Sequence, residues 1–249
     1  MNKLVWDKLN KVLVLIIIVI AFCASLAIML KYKTEGETNM PFEVKKILIV
    51  SSAEAESKKE NKENTKWNLN IDQYNDIYIN FEKNEEFDQE SYIREVTIEN
   101  INIESPKKGE ISIYMPNSTE GKLFSYEDNF KVNESLTYIG ATEDNYKALQ
   151  MANQGGTFLF RVVNRNVSEY VSNDDDEIHY DGTLLKKTNI KLEEIKTKIS
   201  FDIVIKTNKS TYRGNVSITM PGDDIEEKGV SQTIIEDFSD VVFKRERSL

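Results

Sequence analysis

This 249-residue chain has one cysteine, one histidine and 42 acidic residues against 32 basic ones. A lone cysteine permits no internal disulfide, and Cys23 with His179 supplies too few ligands for a zinc site, so stability has to come from an ordinary buried core. The formal charge of −10 repels polyanions and argues against nucleic acid and anionic lipid as partners.

The first element is an apolar run, Val12 to Leu30, with no charged residue among its 19 positions. At about 1.5 Å per residue it nearly covers a hydrocarbon core of roughly 30 Å, so residues 12–30 are expected to contact the lipid bilayer as a transmembrane helix. A cleaved signal fits less well, because Ala53-Glu54-Ala55 is too far downstream and Ser25-Leu26-Ala27 is inside the run. Phe22 before Cys23 departs from the lipoprotein pattern. Lys3, Lys8 and Lys11 precede the span, whereas Lys31 and Lys33 are followed by Glu35 and Glu37, which favours the N-terminus inside and the rest outside the cytoplasm. Residues 1–11 then form a short cytoplasmic tail, 31–41 a juxtamembrane linker, and 42–249 an extracytoplasmic body. Residues 1–30 hold three Lys and one Asp, so the 219 that follow carry −12.

Lys46 to Val50 is a short β-branched run that reads as a buried first strand, and Ser51 to Lys66, without aromatic or large aliphatic residues, reads as a solvated loop or frayed helix. From Trp67 the signal is period two. Ile77, Ile79 and Phe81 share a face, as do Ile111, Ile113 and Met115, then Phe158, Phe160 and Val162, then Ile199, Phe201, Ile203 and Ile205. Between Val96 and Ile103 the apolar phase flips, which predicts a bulge or a bend between sheets. Thr142 as N-cap, acidic Glu143 and Asp144, apolar Tyr146, Leu149 and Met151, and a Gly155-Gly156 stop predict one short helix near 143–153. A weaker helical turn is expected at Leu192 to Lys196. The fold class is therefore all-β, a β-sandwich of Ig-like or jelly-roll-like type with one N-terminal transmembrane helix and that short helix. Val96–Ile98 with Ile111–Asn117 parallels Ile199–Phe201 with Val216–Gly222, so two related halves, about 42–140 and 157–249, are a further expectation.

Chemical motifs are few. Ser105-Pro106-Lys107-Lys108 matches S-x-x-K by letter but falls at a Pro-bearing turn, where the serine acyl-enzymes need a helix start. Asn173 to Glu177, with Asp181 behind, is the densest acidic stretch, and Asp174, Asp176 and Asp181 are the candidate calcium ligands, although the EF-hand glycine position holds His179. Five Asn-x-Ser/Thr triplets are what a chain rich in Asn produces by chance. The reading these observations support is a non-enzymatic interaction, assembly or surface-structural module of the cell envelope with a protein partner. Such a module would carry its site on an apolar patch or an exposed sheet edge. Two alternatives stand beside it: an envelope glycan hydrolase with paired carboxylates, and an accessory subunit bound through an Ala21, Ala24 and Ala27 stripe in the span.

Overall fold

A computed structural model describes residues 3–57, 68–116, 123–125, 131–143, 148–172 and 183–246. Helix α1 spans Lys3–Glu35, and its apolar part is long enough to cross a membrane and is not buried against the body. The rest is mostly strand. In chain order come β1 (Phe42–Ser57), β2 (Asn68–Lys83), β3 (Ile93–Glu104), β4 (Glu110–Tyr114), β5 (Lys131–Val132), β6 (Ser135–Gly140), β7 (Leu149–Met151) and β8 (Gly155–Val171). Then follow the one-turn helices α2 (Leu184–Lys187) and α3 (Leu192–Ile195), β9 (Thr197–Thr207), β10 (Thr211–Met220), α4 (Ile225–Lys228), β11 (Val230–Ile235) and β12 (Lys244–Glu246).

The strands form two six-stranded sheets, A in the order β11-β1-β2-β8-β4-β5 and B in the order β12-β10-β9-β3-β6-β7. Neighbours are antiparallel except β6 and β7, which run parallel. The predicted apolar faces meet between the sheets: Ile77, Ile79, Phe158, Phe160 and Val162 of sheet A share one core with Ile199, Phe201, Ile203 and Ile205 of sheet B. Phe160 and Phe201 touch edge to face at 5.7 Å, and Tyr138 of β6 donates its hydroxyl to the Leu159 carbonyl of β8 at 2.9 Å. Burying each such aromatic contributes about 1.5–3 kcal/mol, so these contacts dominate the join.

A second, smaller core lies at one end, where Leu184, Leu185, Leu192, Ile195 and Ile225 of the three short helices cover Leu69, Ile71 and Val167. Between the two cores the inward positions turn polar. Ser51 and Gln73 both donate to the Asn75 side-chain carbonyl at 2.7 Å, and the Asn75 amide donates to the Val162 carbonyl at 3.3 Å.

Several expectations change. Ser51 to Ser57 is strand, not loop, because small Ser51 and Ala53 alternate into the interior and β1 pairs with β2 as far as Ser57. The helix near 143–153 is not formed at its apolar end, since Leu149–Met151 pair with Tyr138–Gly140 as β7. Gly155, predicted to stop that helix, opens β8 instead. Its φ of 122° lets it lie against the Phe81 carbonyl, where a Cβ would stand 2.6 Å away. The turn at Leu192 forms as α3, and the phase flip in β3 is a bulge, with Asn100 at φ 53° where the pairing with β9 slips. Strands from both expected halves enter both sheets. β9 and β10 form one hairpin in sheet B, whereas β3 lies in B and β4 in A.

Candidate interaction face

The register of sheet A aligns its outward side chains into rows. One row runs Ile234, Leu48, Tyr78, Leu159; the next runs Gln232, Val50, Asp76, Arg161, Tyr114; a third runs Val230, Ser52, Tyr74, Val163, Ser112. A strand that shows Leu48 and Val50 outward as well as Ile47 and Ile49 inward is apolar on both faces, and the surplus collects on this surface.

The two ends of the face differ. Toward β4 it is closed: Tyr74, Tyr114, Phe124 and Val163 are buried together. Arg161 closes that end, its guanidinium 4.2 Å from the Phe124 ring centroid and 5.1 Å from that of Tyr74. It also grips Asp76 with two hydrogen bonds, at 2.5 and 2.7 Å. This fork needs a planar cation that stacks and pairs at once, which arginine supplies and lysine does not. Beside it, burial and then the Asp76 charge push the Tyr78 phenol above its ordinary value, with Arg161 pulling against them. Tyr78, on the outward row, therefore keeps its proton.

Toward β11 the face is open. Val50, Ile234 and Val230 are 40%, 48% and 51% exposed. Among the described residues β11 has a strand on one side only, and its sequence Val230-Ser231-Gln232-Thr233-Ile234-Ile235 contains no charge. Edge strands are ordinarily guarded by lysine, proline or a bulge; β11 contains none of these, and on that side the Gly222 amide donates to the Ser231 hydroxyl at 3.1 Å. A recess of about 530 Å³ lies beside it, lined by Ser231 to Ile234 and, across from them, by Thr219, Pro221, Gly222 and Asp223.

The other sequence candidates lie elsewhere. Asp174, Asp176, Asp181 and His179 lie outside the described residues. Among the described residues no group of three or more His, Cys, Asp or Glu is placed to hold a metal ion. Ser105 to Lys108 occupies the turn between β3 and β4, where the Lys108 amide donates to the Glu194 carbonyl at 2.8 Å. Sequence reading missed the sheet A face because its residues come from five strands. The available signal was the double-sided apolar pattern at 46–50.

The architecture defines a two-sheet β protein behind an N-terminal apolar helix. Compared with protein-family models, curated proteins and solved structures, the chain matches none.

Proposed function

We propose that this protein is a single-pass membrane-anchored, extracytoplasmic β-sandwich that acts without catalysis as an interaction and assembly module of the cell envelope, docking an extended segment of a partner protein along β11. The observation that carries the reading is an uncharged edge strand flanked by exposed Val50, Val230 and Ile234 and bordered by a recess. An added strand would satisfy the free backbone groups of β11, while the apolar row beside it receives alternate side chains. The sandwich reading, of Ig-like or jelly-roll-like type, is supported by the core shared between the sheets. The anchor is supported by the length and apolar character of α1.

The test is photo-crosslinking in intact cells from probes placed at Gln232 and Ile234, with Ser217 on sheet B as reference. A discrete protein adduct from β11 and none from Ser217 is expected. Equal labelling from both positions, or none from either, would overturn docking at this edge.

A further inference from the structure

The end of the body nearest α1 carries a second recess, of about 710 Å³, lined by Tyr32, Glu37, the turn Lys206 to Thr211, Arg245 and Glu246. Its floor is tied to the helix. The Glu37 amide donates to the Phe243 carbonyl at 2.7 Å, the Arg245 amide donates to the Tyr32 hydroxyl at 3.1 Å, and the Arg245 guanidinium pairs with Glu37 at 3.3 Å. Both carboxylates of the recess are thus committed, Glu37 to Arg245 and Glu246 to Arg213 at 2.5 Å.

The two lysines are not. Among the described residues no carboxylate stands within ion-pair distance of Lys206 or Lys209. Lys209 reaches the neutral Gln89 side chain at 3.3 Å, and Glu143 near Lys206 is already held by Arg94 at 2.9 Å. The Tyr32 hydroxyl, having accepted from Arg245, keeps its own hydrogen to donate. Lys206 and Lys209 both line the concavity, and with the Tyr32 hydroxyl they offer donors that suit an anionic phosphate. The lining carries Lys206, Lys209 and Arg245 against Glu37 and Glu246, with Glu95 opposite Lys206 on β3, a small cationic excess on a body of charge −12.

Position narrows the source of that phosphate. Tyr32 lies two residues past Leu30, the last residue of the apolar run, or about 3 Å along the helix axis. Headgroups occupy roughly 5–8 Å beyond each side of the hydrocarbon core. We infer that this recess seats the phosphate of an anionic phospholipid headgroup from the bilayer that α1 enters, between Lys206 and Lys209. The inference rests on reading α1 as a membrane span.

The experiment uses the full chain in detergent micelles doped with phosphatidylglycerol or phosphatidylcholine, counting retained lipid by native mass spectrometry. Wild type should keep phosphatidylglycerol over phosphatidylcholine by about tenfold, the double variant K206E/K209E should bring the ratio near one, and K206R/K209R should restore it. No preference in wild type, or a preference that survives K206E/K209E, overturns the site. Inorganic phosphate, titrated at millimolar concentration into the lipid-free chain, should bind negligibly; saturable binding there would reassign the recess to free anions and overturn the headgroup source. Alkaline extraction of membranes separates the two levels. Release of the wild-type chain defeats the span itself, whereas retention without headgroup selectivity defeats the recess alone.

Discussion

The outer faces of the two sheets flank one shared core, yet they are opposite in character. Sheet A shows Leu48, Val50, Tyr78, Leu159 and Ile234, with the ion pairs Asp76 to Arg161 and Asp72 to Arg165 confined to β2 and β8. Sheet B shows a polar mesh in which Arg213 contacts Glu99, Asp202 and Glu246, and Asp202 also accepts from Asn100 and Asn215. A charged, cross-linked outer face is what a sheet facing water requires. An apolar one beside an exposed edge is stable in water only at the cost of stickiness, which is why the proposed docking role is assigned to sheet A.

The comparison breaks most severely if the shared core is removed. Phe160→Ala should cost about 3–5 kcal/mol in urea unfolding, because it leaves a cavity facing Phe201, and both faces should be lost in one transition. Next in size is the tie between sheets through Tyr138. Burial holds its phenol up to about 12, against 10.0 for the free group. The unfolded chain ionises near pH 10 while the folded one keeps its proton to about 12, so stability present below pH 10 is lost as pH rises through that window. Up to about 2–3 kcal/mol should vanish. Tyr138→Phe, followed by denaturant titrations from pH 8 to 12, should flatten that decline.

Smaller effects distinguish the faces directly. Asp76→Ala leaves the Arg161 guanidinium without its fork and should cost about 2 kcal/mol, below the roughly 3–5 kcal/mol of a fully buried pair. Asp202→Ala should cost about 1 kcal/mol, since Arg213 keeps Glu99 and Glu246. Equal costs in thermal melts would erase the distinction. Smallest in stability is Val50→Lys with Ile234→Lys, expected within about 0.5 kcal/mol of wild type, while crosslinking to a partner from Gln232 disappears.

Much of the fold was legible because one face of each strand is buried, and burial imposes period two. Ile77, Phe158 and Ile203 fell on the core face as their alternation required. The misreadings have specific physical sources. Ser51 and Ala53 carry too little hydrophobicity to announce a strand, yet their small size lets β1 continue inward. Leu149 and Met151 sit two apart, a spacing that a frayed helix and a three-residue strand satisfy equally, and the partner that decided it, Tyr138 to Gly140, lies on another element. Neither recess was legible. One gathers Pro221 with Ser231, the other Tyr32 with Lys209 and Arg245, and only the chain path brings them together.

The junction after α1 has a consequence of its own. Gly36, at φ 73°, ends the helix with its amide on the Tyr32 carbonyl, and a Cβ there would stand 2.3 Å from the Phe243 carbonyl. With Glu37 bonded to Phe243 as well, the residues expected as a juxtamembrane linker are tied to the body. Where α1 spans a bilayer, as proposed, a body so mounted cannot yaw freely above it. The proposed docking edge then keeps a constant bearing and height, and a neighbour drifting in the same plane searches two dimensions and one approach angle instead of three dimensions and all of them.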